Sequence, residues 1–355
     1  MNAPESICLL RLSALGDVCN CVPVVRALRR RWPEAAITWI IGKAELKLVE
    51  GLSGVEFIPV DKQAGLMATV GDLRRRLRGR RFDVLLHAQV SLRANVLAQL
   101  VSARRRIGFD RARSREGHGF RLDQRIPARP MQHQAEALWA FAGMLDATCE
   151  RADRRLPIAP EAREFARRHQ PEARHAVLIS PCSSHRLRDW NIAGYARVAD
   201  WVQRECGRPV LLIGGPSRRE IETGERIVDA MQTRALNLIG KDTLGQALAM
   251  IERAACLVTP DSGPAHFAAA LGTPVVGLYA ATWSRRSGPL GSLDHCVDCY
   301  PEAARRFLAR EPETLRWGRR IERPGVMDLI EADAVIERLR GVLESDRGFQ
   351  PISDA

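Results

Sequence analysis

An acidic side chain and a serine follow the first hydrophobic segment of the chain, at a spacing that could support proton transfer. Residues 8–18 read CLLRLSALGDV, in which a predicted strand runs through a short loop into a helix and leaves Ser13 and Asp17 at the carboxyl end of the strand. A carboxylate at such an edge can act as a general base. Asp17 can equally be a helix N-cap, because Asp accepts hydrogen bonds from the first free N–H groups of a helix. Local sequence leaves both interpretations open.

A second strand-to-helix turn, at residues 257–274, is suited to an anion. Pro264 fits the first turn of a helix, where its missing N–H costs nothing, and the backbone N–H groups beside it would point at a ligand with the positive end of the helix dipole behind them. The residues around that ligand would be Asp261, Ser262, Gly263 and His266. This arrangement predicts a diphosphate site, although His266 is also compatible with a core position.

Two further loops offer groups to a nucleotide sugar. In residues 210–222, Gly215 ends a strand, Ser217 and Glu220 fit a capping box, and the glutamate could accept both hydroxyls of a ribose. Residues 180–190, SPCSSHRLRDW, form a polar loop after another strand. Its groups available to a diphosphate are Ser183, Ser184 and Arg188. The arginine could neutralise the charge that grows on a departing nucleotide.

Several chemistries are not supported by the sequence. Neither G-x-G-x-x-G nor G-x-x-x-x-G-K-[ST] occurs, so dinucleotide redox chemistry and P-loop hydrolysis are not expected. The nine cysteines are an odd number and lie mostly in apolar segments, which favours reduced, buried thiols. His295, Cys296 and Cys299 lack the fourth ligand of a structural zinc site, and we expect no metal there.

The elements that must position these residues alternate along the whole chain. Short strand-like runs and amphipathic helical stretches follow one another, which is typical of a parallel sheet with helices on both faces. The pattern breaks at the proline-containing stretch 156–161 and then restarts. We therefore expect a first doubly wound domain at 1–158, a second at 159–330 that carries the nucleotide loops, and a final helix and tail at 331–355 that pack back on the first domain. Tandem domains of this kind would place both carboxyl edges on one cleft.

Charge is concentrated in the first half of the 355 residues. The net charge is +12, and between residues 72 and 115 thirteen arginines stand against three acids. This segment predicts an anionic partner, unless it is only a solvated surface. Nucleic acid is not expected, because few aromatic residues accompany the arginines and no nucleic-acid-binding signature is present. No apolar run reaches about 18 residues and no signal peptide is evident, so a membrane-spanning or secreted protein is not expected.

A resemblance to a known family lies in four motifs: LLRLSALGDV, SPCSSHRLRDW, LIGGPSRRE and TPDSGPAHFAAALGTPVVGLYAATWSRRSGP. Over residues 6–290 the chain resembles the bacterial heptosyltransferases of glycosyltransferase family 9. The tail beyond residue 290 is similar to a subgroup of core heptosyltransferases. The resemblance implies a GT-B fold, an α/β architecture of two doubly wound Rossmann-like domains that face a central cleft.

The resemblance also implies a reaction and residue roles. It implies ADP-heptose as donor, a Kdo or heptose unit of nascent lipopolysaccharide as acceptor, and inversion with no cofactor or essential metal. By motif match, Asp17 falls on the general base, and the family's sugar-diphosphate site falls on Asp261, Ser262, Gly263 and His266. Glu220 falls near the ribose ligand, Asp242 where adenine is read, and Arg188 where the family often has lysine. Arg93 and Arg115 match positions that the family directs at the acceptor.

These observations predict an inverting glycosyltransferase in which Asp17 is the base and Arg188 assists the leaving group. Its acceptor would be an anionic lipid of the lipid A-Kdo type. We expect a cytoplasmic monomer associated peripherally with the inner membrane. One alternative is a family 9 enzyme with another nucleotide sugar or acceptor. The other is a non-catalytic basic module that binds anions.

Overall fold

Residues 3–345 of the chain are described by a computed structural model. The chain divides into two compact units, Met1–Pro157 and Ile158–Ala355. The division falls inside the stretch 156–161 that the sequence indicates as a linker. Among the described residues, no helix is both long enough and apolar enough to cross a membrane.

A six-stranded parallel sheet forms the centre of the first unit. Its strands are β1 (Ser6–Leu10), β2 (Ala36–Gly42), β3 (Val55–Val60), β4 (Phe82–His87), β5 (Ala103–Gly108) and β6 (Gln124–Arg125). They lie in the order β3-β2-β1-β4-β5-β6. Leu9, Ile40 and Leu85 on the central strands are almost completely buried, because helices cover both faces of a parallel sheet. The strand order reverses between β1 and β4, and sheets of this kind bind ligands at the carboxyl ends beside such a reversal.

The helices of the first unit are α1 (Leu15–Arg31), α2 (Lys43–Leu46), α3 (Leu66–Arg76), α4 (Leu92–Ala98) and α5 (Gln134–Gly143). The sequence predicts the first helix over 20–33, but α1 begins earlier, and Pro23 lies inside it. Its buried face packs on α5, where the Trp139 indole N–H donates to the Asn20 carbonyl at 3.1 Å. The earlier start places Asp17 in the first turn of α1.

The second unit repeats the same topology. Its strands are β7 (Val177–Ile179), β8 (Val210–Leu212), β9 (Leu236–Asn237), β10 (Cys256–Pro260), β11 (Val275–Tyr279) and β12 (Val297–Asp298). All pair in parallel, in the order β12-β11-β10-β7-β8-β9. The reversal therefore lies between β7 and β10, as it does between β1 and β4 in the first unit.

The helices of the second unit are α6 (Pro160–His169), α7 (Ile192–Cys206), α8 (Arg218–Ala230), α9 (Leu244–Arg253), α10 (Gly263–Leu271), α11 (Ser284–Ser287), α12 (Tyr300–Leu308) and α13 (Ala332–Ser345). Short 3-10 helices lie at Ala152–Arg154, Arg186–Arg188, Leu293–His295, Pro312–Thr314 and Met327–Leu329. The apolar faces of α7, α12 and α13 enclose a single core with the sheet.

The last helix, which the sequence led us to expect against the first domain, lies in the core of the second unit. Helix α13 packs against α7, β10 and β11 of its own unit. Val335, Leu339 and Val342 lie on one face of the helix and are at most 1% exposed within the core of the second unit. Burying that apolar stripe on the sheet of its own unit stabilises the helix there. The predicted tail at 346–355 lies outside the described residues.

Candidate functional site

The carboxylate of Asp17 is held by an arginine at the carboxyl end of β1. Ala14 is the N-cap residue of α1, so the interpretation of Asp17 as the N-cap is wrong. The Asp17 side chain instead forms an ion pair with Arg11, and it keeps 26% of its surface exposed, whereas Arg11 keeps 7%. The Arg11 guanidinium is therefore buried, whereas solvent can reach the Asp17 carboxylate.

Arg11 is itself anchored to the neighbouring strand. Its Nη1 donates to the carbonyl of Ala88, just after β4, at 2.5 Å. The arginine thereby connects the ends of β1 and β4, the two strands between which the sheet order reverses. This contact fixes the guanidinium and, through it, the orientation of the Asp17 carboxylate.

Gln89 organises the loop that carries Ser13. Its Oε1 accepts from the backbone N–H groups of Leu12 at 2.6 Å and Ser13 at 3.1 Å. Its Nε2 donates to the hydroxyls of Ser13 and Ser91, each at 3.3 Å. We refer to Arg11, Ser13, Asp17 and Gln89 as the first-unit cluster. Sequence reasoning missed Arg11 and Gln89, and their only signal is their position at the ends of two predicted strands.

The two arginines assigned to the acceptor lie on segments that are bonded to each other. Arg93 is partly buried on α4, and its Nη1 donates to the carbonyl of Lys62 at 2.5 Å. Arg115 is exposed in the loop after β5, and its carbonyl accepts from Asn95 Nδ2 at 3.3 Å. Lys62 is paired with the buried carboxylate of Glu45. Both predicted arginines thus belong to the segments that follow the carboxyl ends of β4 and β5.

Not all thirteen arginines of the basic segment are available to a ligand. Arg106 is buried and donates to the carbonyls of Ala98 and Val101. Arg80 is bonded to Glu56. Arginines such as these stabilise the first unit internally, so the charge of the segment overstates its capacity for anions.

In the second unit, helix α10 begins with its positive end uncapped by a side chain. Ser262 is the N-cap residue, but its hydroxyl lies 2.8 Å from Thr259 Oγ1 and makes no cap hydrogen bond. The Thr259 hydroxyl in turn donates to the carbonyl of Ser180 at 2.9 Å, so Ser262 is the donor of the pair. The backbone N–H groups of Gly263 and Ala265 lie at the positive end of the helix, a geometry suited to an anion. His266 is partly buried, one residue further along the same helix.

Arg188 lies between two carboxylates. Its Nη1 is 3.6 Å from Asp261 Oδ2, while its Nε and Nη2 donate to Glu322 Oε1 at 2.8 Å and 2.6 Å. The side chain of Arg188 is only 8% exposed. We refer to Arg188, Asp261, Ser262 and Glu322 as the second-unit cluster. Glu322 lies 134 residues beyond Arg188 and was not found from the sequence.

The polar loop after β7 is tied to the start of α10. Ser183 is buried, its Oγ donates to the carbonyl of Asp261 at 2.6 Å, and its N–H donates to Asp189 at 2.6 Å. Asp189 is also paired with Arg219, which donates to the carbonyl of Ser183. Ser184, by contrast, is exposed. Ser183 therefore holds Asp261 in place through its hydroxyl hydrogen, and Asp189 and Arg219 are supports that the sequence did not reveal.

Glu220 makes only half of the predicted capping box. Its backbone N–H donates to the Ser217 hydroxyl at 3.3 Å, but its carboxylate turns towards Gly215. A Cβ on Gly215 would lie 2.6 Å from Glu220 Oε2, so a side chain there would displace the carboxylate. Glycine at this position leaves Glu220 free to face the end of β8.

Asp242 carries a partly buried carboxyl group. Burial raises its pKa to about 6, and its Oδ2 is buried without a hydrogen-bond partner among the described residues. An acid kept in this state destabilises the fold when it is ionised. It is a group that a ligand could satisfy.

The cysteines and histidines do not combine into a metal site in the described part of the chain. Across residues 3–345, no group of three or more His, Cys, Asp or Glu side chains is placed to hold an ion. Burial raises the pKa of the Cys296 thiol to about 12 and that of Cys299 to about 11. Both thiols are therefore protonated at neutral pH.

Comparisons with known proteins agree with this architecture. The family model "Glycosyltransferase family 9 (heptosyltransferase)" matches residues 70–313. The lipopolysaccharide core heptosyltransferase OpsX of Haemophilus influenzae is 35% identical over 95% of this chain and 97% of its own length. Lipopolysaccharide heptosyltransferase 3 of Escherichia coli K12 is 23% identical over 75% and 80%.

Solved structures share the fold. A glycosyl transferase family 9 protein from Veillonella parvula superposes with a TM-score of 0.77, at 22% identity, over 96% of this chain and 98% of that one. Escherichia coli heptosyltransferase WaaC with ADP superposes with a TM-score of 0.71, at 17% identity, over 95% and 99%. These likenesses confirm the predicted α/β class with two parallel sheets, the GT-B fold.

Proposed function

We propose that this chain, which belongs to glycosyltransferase family 9 (heptosyltransferase), transfers a heptose from ADP-heptose to a Kdo or heptose unit of the lipopolysaccharide inner core. The observation that carries the proposal is the second-unit cluster, in which Arg188 and Asp261 meet at a helix start that the N-cap side chain of Ser262 does not cap. Its cation and helix dipole suit a diphosphate, and its carboxylate suits a sugar hydroxyl. The heptosyltransferase relatives support this reading of the donor.

The donor site we propose lies in the second unit. The N–H groups at the start of α10 would bind the diphosphate together with Arg188 and His266. Asp261 would accept from a heptose hydroxyl, since a carboxylate beside a phosphate is unfavourable unless it has a donor of its own. The remaining donor contacts would come from Ser183, Ser184, Gly215, Glu220, Asp242, Ser262 and Gly263. Of these, Glu220 would bind the ribose and Asp242 the adenine edge.

The reaction we propose is a single displacement with inversion. The Asp17 carboxylate takes the proton from an acceptor hydroxyl as its oxygen forms a bond to the anomeric carbon. The bond from that carbon to the diphosphate oxygen breaks at the same time, and the electron pair leaves with ADP. A positioned base contributes about 10² to 10⁴ in rate. Fixed positive groups on the leaving group contribute a comparable factor.

The charge on the departing ADP would be met by Arg188, His266 and the positive end of α10. All three sources belong to the protein, so the proposed mechanism includes no resident metal or cofactor, and ADP-heptose is a co-substrate. Because Arg188 is buried against Glu322, its position is fixed before the charge develops.

We propose that the acceptor is an anionic lipid of the lipid A-Kdo type and that the first unit binds it. Arg93 and Arg115 would meet its carboxylates and phosphates, with Ser13 beside the reacting hydroxyl. A lipid acceptor would place the enzyme at the cytoplasmic face of the inner membrane. We propose that it acts there as a monomer. Family 9 membership leaves open another nucleotide sugar or acceptor. It does not fit a non-catalytic anion-binding module.

The proposal is tested with a panel of nucleotide sugars. The protein is incubated with ADP-heptose or with ADP-, GDP- and UDP-linked hexoses, each with a Kdo-bearing lipid A acceptor, and the released nucleotide and product mass are measured. We expect ADP release and heptose addition with ADP-heptose alone. Preference for another donor would assign a different family 9 reaction, and no transfer from any donor would contradict the proposal.

A further inference from the structure

Glu322 lies in the tail that follows the second sheet, in a segment to which the proposed reaction assigns no role. Its Oε1 accepts two hydrogen bonds from Arg188, from Nη2 at 2.6 Å and from Nε at 2.8 Å. The exposed fractions are 8% for the arginine side chain and 22% for the glutamate. A charge-assisted, two-point contact with this little solvent is far stronger than an exposed ion pair.

The tail segment that carries Glu322 is fixed to the sheet. The N–H of Ile321 donates to the carbonyl of Ala281, just beyond β11, at 2.8 Å, and the Ile321 side chain is 1% exposed. The hydroxyl of Tyr300 donates to the carbonyl of Arg319 at 2.8 Å. These two anchors just before Glu322 leave it little freedom, so its carboxylate defines a position rather than following the arginine.

A guanidinium has two edges that can each make paired hydrogen bonds. Glu322 occupies the edge formed by Nε and Nη2. The other edge, formed by Nη1 and the second hydrogen of Nη2, remains, and Nη1 lies 3.6 Å from Asp261 Oδ2 at the start of α10. Holding one edge thus directs the other at the place proposed for the diphosphate.

Other charged groups surround the glutamate more loosely. His185 Nδ1 lies 3.8 Å and Arg320 Nη1 lies 4.0 Å from Glu322 Oε1. Burial opposes ionisation of Glu322, but the hydrogen bond and charge of Arg188, with smaller contributions from His185 and Arg320, hold its pKa below the ordinary value. Glu322 is therefore ionised at neutral pH.

We propose that Glu322 is a positioning residue for leaving-group departure, which holds one edge of Arg188 so that the other edge faces the departing diphosphate. The inference rests on the proposed function, because it assumes that Arg188 assists the leaving group. It gives the tail a role: the tail supplies a fixed carboxylate to the donor site of its own unit.

The test compares Glu322→Ala, Glu322→Gln and a matched control, Glu311→Ala. Glu311 lies in the same tail and forms an exposed ion pair with Arg305. We expect Glu322→Ala to lower kcat at least about tenfold while the Kd for ADP changes less than threefold, because alignment matters most when charge develops on the leaving group. Glu322→Gln keeps an oxygen that can accept both hydrogen bonds, so its kcat should exceed that of the alanine variant at least about threefold.

The result separates positioning from a merely structural role. A kcat of Glu322→Ala within twofold of the Glu311→Ala value, measured per ADP-binding molecule, would overturn the inference even if the melting temperature fell. A glutamine variant as slow as the alanine variant would overturn it too, because the accepting oxygen would then not matter.

A second measurement does not depend on turnover. Hydrogen exchange of the Arg188 Nε–H, followed by NMR, should be slow in the wild type and in Glu311→Ala and fast in Glu322→Ala. Fast exchange in the wild type would show that the edge is not held and would contradict the inference. If the wild type transfers no sugar from any donor, the proposed function fails. If it transfers heptose and Glu322→Ala does so equally well, only this inference fails.

Discussion

The two units place an arginine and a carboxylate at corresponding edges of similarly ordered sheets, but the arginine has one carboxylate partner in the first cluster and two in the second. In the first-unit cluster the Arg11 cation is buried, and the Asp17 carboxylate is the more exposed partner. In the second-unit cluster Arg188 is shared between Asp261 and Glu322 beside the positive end of α10. In the proposed function, the same topology provides a proton acceptor in one unit and an anion site in the other.

The largest expected effect concerns the first-unit cluster. Asp17→Asn should reduce turnover at least about 10²-fold, because an amide cannot take a proton at neutral pH. Folding and ADP affinity should stay near wild type, since the amide can still accept from Arg11 and the donor residues lie in the second unit. Steady-state rates, with ADP calorimetry and thermal melting as controls, check this. Turnover within about threefold of wild type would leave the proposed mechanism without a base.

A smaller effect is expected at the second-unit cluster. Asp261→Ala should weaken binding of the intact sugar nucleotide about tenfold and that of ADP much less, because the lost hydrogen bond is to the sugar. His266→Ala should weaken binding of both. Calorimetric titration with each ligand measures the difference, and Asp229→Ala, on the exposed end of α8, is the control. Undiminished donor affinity in both variants would remove the reason for placing the donor at α10.

The comparison also predicts a separation of substrates between the units. Arg93→Glu or Arg115→Glu should raise the KM for a phosphorylated acceptor about fivefold or more and leave the KM for the donor nearly unchanged. The effect should shrink with added salt, since exposed charges are screened over about 8 Å at physiological ionic strength. The exposed Arg78, changed to Glu, is the matched control. An equal rise in the donor KM would contradict the assignment of the acceptor to the first unit.

The smallest effect is a pH dependence of stability in the first unit. His87 and His118 lie with ring centroids 4.3 Å apart, and burial first, then neighbouring positive charges, lowers their pKa values to about 3 and about 4. Protonating His118 Nε2 would also remove the acceptor of the Phe109 N–H, at 3.0 Å. The unfolded chain binds these protons near pH 6.5, so stability is complete above that value and falls as the pH decreases.

Thermal melting between pH 7 and pH 5 measures this loss. For His87 alone we expect about 1 to 2 kcal/mol by pH 5. His87→Phe should flatten the dependence, whereas His175→Gln, a partly exposed histidine of the second unit, should not. A wild-type melting temperature that does not change over this range would contradict neutral, buried histidines.

Much of the fold was predictable because buried parallel strands appear in the sequence as short, local apolar runs. The apolar patterns predict strands over 36–42 and 55–60 and a helix over 332–345, which are the bounds of β2, β3 and α13. Helix α6 was missed because its buried residues, Ala162 and Ala166, are small and half of its residues are Glu or Arg, so no apolar run marks it. The packing of α13 on α7, β10 and β11 was not predicted, because a helix sequence shows which face is apolar but not which surface will cover it.

The residues of the site likewise divide into those that local sequence predicts and those that depend on distant contacts. Asp17 and the turn at Asp261 are readable because strand, turn and helix follow one another within about a dozen residues. Gln89 and Glu322 are not, because the Ser13 loop that Gln89 holds lies 76 residues from it and Arg188 lies 134 residues from Glu322, and only the folded sheets bring them together. Sequence also could not exclude a capping role for Asp17, because that role depends on where the helix begins.

The most direct test of the mechanism is the anomeric configuration of the product. In the proposed mechanism, an acceptor hydroxyl that Asp17 deprotonates attacks the anomeric carbon in one step. Proton NMR of the purified product, compared with the ADP-heptose used to make it, should therefore show the opposite configuration. Retention of the donor configuration would mean two successive displacements, and it would contradict the assignment of Asp17 as a general base in a direct transfer.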